Sequence, residues 1–186
     1  MILNTHHIKV KSKIFTTNLN SSDNELSTLI DETYKLGDSM NKATNVQAAM
    51  STYKIFNETQ IFTDVLKKIL KLIKGLRLIT DTRYEMVIVD AWTASYKKGD
   101  NTKLHHHTPA HTSFVYYLND TDPITPLSFP DAGFYHYPKK DDLIIFPSHI
   151  NHFVPAHQSD TERVVLAGNV DLMPIKEIRK DIIHNN

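Results

Sequence analysis

Two periodicities divide the chain. In its first part apolar residues recur three and four apart: Leu26, Leu29, Ile30 and Tyr34 follow Ser22-Asp23-Asn24-Glu25, which has the form of a capping box. A second helix is predicted to start near Asn57, with Gln60 three positions on and an apolar stripe of Phe62, Val65, Leu66, Ile69, Leu70 and Ile73. Lys67, Lys68, Lys71 and Lys74 fall largely on the other side, which reads as the solvated face of a helix packed over a sheet rather than as a membrane-binding face. Gly75 fits the stop of that helix.

From about residue 84 the pattern changes to strands rich in Val, Ile, Tyr and Phe, predicted at 86–96, 113–119, 126–129, 133–137, 143–146, 152–154 and 163–173. Roughly seven strands in about ninety residues imply a β-sandwich or barrel. Lys98-Gly99-Asp100, Asp120-Thr121-Asp122-Pro123 and Pro130-Asp131-Ala132-Gly133 supply turn chemistry between them. A further short strand is predicted at 8–14, before the helices. No internal repeat or low-complexity linker interrupts the chain.

Composition narrows the function. A chain of 186 residues suits one domain, 1–186, with a helical part at about 20–76 and a β core at about 84–173. Lys and Arg number 21 and so do Asp and Glu, so no global field draws in nucleic acid or an anionic membrane. The partner expected is a small-molecule or peptide substrate. The absence of cysteine excludes disulfides, thiolate nucleophiles and thiolate-ligated metals, so any metal is held by nitrogen and oxygen. Neither a signal-peptide run nor a stretch approaching the ~20 apolar residues of a membrane span is found, and a cytoplasmic location is the expectation.

The chemistry concentrates in the strand half, at Leu104-His105-His106-His107-Thr108-Pro109, with His111 close behind. On an extended strand residues two apart share a face, so His105 and His107 can project together while His106 points away. A third imidazole must come from a distant strand, and Phe146-Pro147-Ser148-His149-Ile150-Asn151-His152 offers His149 or His152. A barrel mouth can bring the two segments together. The isolated His6, His7, His136, His157 and His184 read as surface or satisfied core residues.

Taken in order, Trp92, Tyr96, Gly99-Asp100, His105-x-His107-x-Pro109, Ser113-x-Val115-Tyr116-Tyr117-Leu118, Leu143-Ile144-Ile145-Phe146-Pro147-Ser148 and His152-x-Val154-Pro155, then Arg163 and Asn169, form a pattern. It resembles a family of 2-oxoglutarate/Fe(II)-dependent oxygenases of marine bacteria and their phages. Thr44-Asn45-Val46-x-Ala48 is also similar, so the likeness covers most of the chain. It implies a mainly β double-stranded β-helix, a cupin-like jelly roll, with the N-terminal helices packed on the sheet. It also implies Fe(II) held by His105, His107 and His152, with 2-oxoglutarate and O2 as cosubstrates in a hydroxylation. Arg163 then pairs with the distal carboxylate of 2-oxoglutarate, for which its planar fork of donors is suited. Tyr116-Tyr117-Leu118-Asn119 looks like the prolyl-hydroxylase strand whose second tyrosine bonds the same carboxylate, which nominates Tyr117. Trp92, Tyr96 and His111 are further candidates for the pocket.

One departure stands out. The wider superfamily supplies His-x-Asp or His-x-Glu, and here His107 occupies the carboxylate position, with Asp100 a possible remote substitute. The same residues also resemble cupin motifs, Gly99 five residues before His105-x-His107 and then Pro147-x-His149-x-x-His152. The second reading is therefore a three-histidine cupin dioxygenase that needs no 2-oxoglutarate. A third is a barrel that binds metal without catalysis. Arg163 and Tyr117 discriminate, because a direct dioxygenase needs no carboxylate clamp.

Overall fold

In the computed structural model the described residues are 11–120, 125–178 and 183. Among them β1 (Phe15–Asn18) and α1 (Asp23–Leu36) are followed by two short strands, β2 (Val46–Gln47) and β3 (Ala49–Met50), and by α2 (Gln60–Gly75). The strand half then runs β4 (Tyr84–Tyr96), β5 (Asn101–His105), β6 (Thr112–Tyr117), β7 (Leu127–Phe129), β8 (Phe134–His136), β9 (Asp142–Pro147), β10 (His152–Val154) and β11 (Arg163–Pro174). Two antiparallel sheets result, a six-stranded one ordered β1-β9-β6-β11-β4-β3 and a five-stranded one ordered β2-β5-β10-β7-β8. This is the mainly β jelly roll expected, with two α-helices.

The helices form for the reasons visible in the sequence, with two adjustments. Ser22 caps α1 by accepting from the Glu25 N–H at 3.2 Å, but the Glu25 carboxylate turns away from the box to pair with Lys68 of α2. The second helix begins at Gln60 behind Thr59, because Ile55–Asn57 winds into a separate 3-10 turn that buries Ile55 and Phe56. The predicted stripe of α2 is wholly buried, each side chain worth about 1.5–3 kcal/mol, while Lys67, Lys68 and Lys71 are exposed. No helix among the described residues is long and apolar enough to cross a membrane. The strand predicted at 8–14 does not form over 11–14; pairing with β9 begins at Phe15↔Ile145, and 8–10 lie outside the described residues.

Strand alternation separates two cores across the six-stranded sheet. On its outer face Met86, Ile88, Phe114, Tyr116, Val164 and Leu166 pack with α1 and α2. On its inner face Trp92, Ala94 and Tyr96 of β4 stand beside Ala167, Val165 and Arg163 of β11, their register partners, and β6 continues the row with Val115 and Tyr117. The five-stranded sheet closes over this face with Val46, Leu127, Phe129 and Val154. The site lies between the sheets.

Close approach within the larger sheet explains one glycine. A Cβ on Gly168 would stand 2.6 Å from the Asp90 carbonyl oxygen and 2.7 Å from Phe114 Cζ, in a sheet whose backbone cannot yield. Gly168→Ala is expected to cost about 1–3 kcal/mol of overpacking strain, seen as a lowered urea midpoint in the metal-free protein.

Candidate metal centre and its cavity

The histidines reach the cavity through an irregularity in β5. Against β10, His105 pairs with His152 and Thr102 with Val154, so three steps on β5 match two on β10. That bulge puts Thr102 and His105 on the same face, whereas regular alternation would oppose them. Leu104 is turned outward, 58% exposed. His107 stands just past the end of β5, its N–H bonded to the Ser148 carbonyl at 2.7 Å. The expected shared face is realised.

The three side chains converge. One ligand atom from each of His105, His107 and His152 lies within 4.8 Å of the others, and among the described residues no carboxylate joins this cluster. Ring centroids are 4.3–5.0 Å apart. His105 Nδ1 lies 2.8 Å from the Lys103 carbonyl and His152 Nδ1 3.0 Å from that of Ile150. A carbonyl only accepts, so each Nδ1 carries the proton and each Nε2 keeps its lone pair for a metal. Burial, reinforced by the neighbouring imidazoles, pushes the His107 pKa down to about 3 and that of His152 to about 4, and burial lowers His105 as well. All three are neutral at pH 7, the form that ligates.

These shifts set a pH dependence for the metal-free fold. An unfolded histidine titrates near 6.5, so below that value the unfolded chain takes up protons that the folded site refuses. Stability is full above the unfolded pKa and declines as pH falls towards about 4 and about 3. Urea midpoints should drop between pH 6.5 and 5, above the range of most carboxylates, and less steeply in His107→Ala.

A cavity of about 50 Å3 adjoins the triad and is lined as well by the buried side chains of Tyr96, Thr102, Tyr117 and Arg163. Tyr96 and Thr102 share a 2.7 Å hydrogen bond through their hydroxyls. Arg163 is 1% exposed and stacks 6.0 Å from the Tyr117 ring centroid. Its Nη2 donates to the Thr125 carbonyl, but among the described residues Nε and Nη1 have no partner and no carboxylate pairs with its charge. Burial lowers its pKa without making it neutral at ordinary pH. Burial also raises the Tyr117 phenol, leaving it a neutral donor.

Other candidates fall elsewhere. His111, bonded to the Thr112 hydroxyl at 2.7 Å, and His149 line a separate groove with Pro109 and Asp171, so of the two distal histidines it is His152 that meets the pair. Asp100 is bound to Lys42 and to the Lys97 N–H, away from the triad. His157 is fully buried, its Nε2 2.8 Å from the Thr161 carbonyl, and ties its loop to Gly99 and Asp100. His136 is partly buried 3.4 Å from Asp142, and His6, His7 and His184 lie outside the described residues. Trp92 does line the cavity, its ring 5.7 Å from His107. Sequence reasoning missed Thr102 and Thr125, which carry no spacing signal, and although Ser113, Ser148 and Asn169 belong to the motif pattern, nothing in it showed that they form one buried group.

No protein-family model matches the sequence, and no curated protein is similar to it. Solved structures are similar in fold. A viral collagen prolyl hydroxylase from Paramecium bursaria Chlorella virus-1, in a 2-oxoglutarate complex, superposes with a TM-score of 0.66 at 17% identity, covering 84% of this chain and 94% of that one. A Pseudomonas putida prolyl-4-hydroxylase gives 0.64 at 16%, over 85% and 91% of the two chains. HygX from Streptomyces hygroscopicus, with nickel and 2-oxoglutarate bound, gives 0.66 at 10%, over 86% and 83%. The chain therefore has the jelly-roll fold of these proteins.

Proposed function

We propose that this chain is an Fe(II)- and 2-oxoglutarate-dependent oxygenase, akin to those of marine bacteria and phages, that hydroxylates a small-molecule or peptide substrate. His105, His107 and His152 hold the metal; Arg163 and Tyr117 hold the distal carboxylate of the cosubstrate. One observation carries the reading. Arg163 is a buried guanidinium in the cavity that also holds the triad, and among the described residues two of its nitrogens have no partner and no anion is supplied to it. A charge so placed calls for an anionic ligand, and a carboxylate matches its fork.

The donor set fits the metal as well. Three neutral imidazoles suit Fe(II) and leave a centre one charge more positive than two histidines and a carboxylate would. A dianionic cosubstrate offsets that excess. When bound, the iron and 2-oxoglutarate supply the oxidising power, the cosubstrate being decarboxylated to succinate as O2 is consumed. The protein's part is placement. Lys103 and Ile150 carbonyls orient two ligands, the Tyr117 hydroxyl and Arg163 orient the carboxylate, and Phe129 and Phe146, packed about His152 at 5.9 and 4.7 Å between rings, exclude water from that side. The solved neighbours include HygX with hygromycin B bound and prolyl hydroxylases, which supports a small-molecule or peptide substrate of the same class.

Product analysis tests the reading. The Fe(II)-loaded protein, given 2-oxoglutarate and O2 with a panel of amino acids, peptides and aminocyclitols, is expected to form succinate and CO2 in equal amounts, and to stop when iron is chelated. O2 uptake with 2-oxoglutarate untouched would instead indicate the direct dioxygenase, and no uptake at all the non-catalytic barrel.

A further inference from the structure

Two of the three histidines are fixed by their own rings, through Nδ1 bonds to the carbonyls of Lys103 and Ile150. The His107 ring has no such bond among the described residues. Its backbone is held instead. The His107 N–H donates to the Ser148 carbonyl at 2.7 Å, and the Ser148 N–H donates to the His111 carbonyl at 3.2 Å, so one residue clamps both ends of the turn that carries His107. Ser148 is in turn tied inward. Its hydroxyl meets that of Ser113 at 2.7 Å, and Ser113 donates to Asn169 Oδ1 at 2.9 Å.

A serine has one hydroxyl proton, so the Ser113 bond to Asn169 obliges Ser148 to donate to Ser113. The chain of donors thus has a single direction, from Ser148 to Ser113 to Asn169. Ser148 and Ser113 are 0% and 1% exposed, where small apolar residues would pack without needing partners. Ser113 and Asn169 are register partners on β6 and β11, and Ser113 also faces Phe146 at the end of β9, just before Ser148. The relay therefore locks the His107 turn to the two central strands of the sheet.

We infer that Asn169, Ser113 and Ser148 are positioning residues that set where the third metal ligand stands, in place of a ring hydrogen bond; this rests on His107 being a ligand. The test is Co(II) binding to the metal-free protein, read as affinity and as the visible d–d spectrum, with urea stability measured beside it. Ser113→Ala and Asn169→Ala are expected to weaken Co(II) about 10- to 100-fold and to shift the d–d bands, the double variant being no worse than the poorer single one. Ser113→Thr, which keeps the hydroxyl, should restore the bands. Val164→Ala, a core truncation on the outer face, should lower stability and leave Co(II) affinity and spectrum unchanged. A wild-type spectrum and affinity in Ser113→Ala would overturn the relay, as would an equal loss in Val164→Ala. If His107→Ala itself binds Co(II) as wild type does, the ligand assignment fails and the relay fails with it.

Discussion

Arg163→Met is expected to weaken 2-oxoglutarate binding to the Ni(II)-loaded protein by about 2–5 kcal/mol, roughly thirtyfold or more, without lowering the stability of the metal-free fold. Both halves follow from the same geometry. With a ligand bound, the buried Nε and Nη1 gain charge-assisted partners, and an apolar side chain of similar length offers none. Without a ligand those nitrogens are buried and have no partner among the described residues, so replacing a desolvated charge by methionine removes a penalty and leaves the packing against Tyr117. Calorimetric titration and urea unfolding check the two halves. A variant with a lowered urea midpoint that still binds 2-oxoglutarate as tightly as wild type would make Arg163 a structural residue instead.

The second large effect concerns His107. His107→Ala is expected to lose about a hundredfold or more in Fe(II) affinity, beyond the 10- to 100-fold typical of removing an outer-shell partner. His107→Asp should come back to within about tenfold of wild type, because a carboxylate there restores the commoner two-histidine, one-carboxylate set at the same chain position. Anaerobic competition with a chelator measures both. The aspartate variant is also a test of charge: its centre is one unit less positive, so the 2-oxoglutarate dianion should bind it more weakly than it binds the three-histidine protein.

How much of this was legible in the residues depends on the kind of signal. The α2 stripe and the long strands β4 and β11 have strong periodicity, and they stand where the pattern placed them. The pairing of His105 with His107 was legible from two-residue spacing, and a second histidine-bearing turn offered His149 or His152; the choice of His152 came from the family resemblance, and it is His152 that meets the pair. The short strands β2, β3 and β8 are two or three residues long, too few for a period; β8 fell within a longer predicted run, and the other two were not foreseen. The β5 bulge left no mark in the sequence, because what determines it is the pairing of Thr102 and His105 with a strand some fifty residues away. Over 11–14 the predicted strand is absent because edge pairing with β9, rather than local propensity, decides where β1 starts. Ser113, Ser148 and Asn169 were visible as members of the motif pattern, but not as one hydrogen-bonded group, because only folding buries them together.

The central claim is that one cavity holds a metal on three histidines and a carboxylate on Arg163. Anaerobic titration of the Fe(II)-loaded protein with 2-oxoglutarate, followed in the visible for the weak charge-transfer band of the chelate, tests it most directly. The expected result is a band that saturates at one equivalent per chain and is lost or greatly weakened in Arg163→Met. Fe(II) bound with no band at saturating 2-oxoglutarate would contradict it.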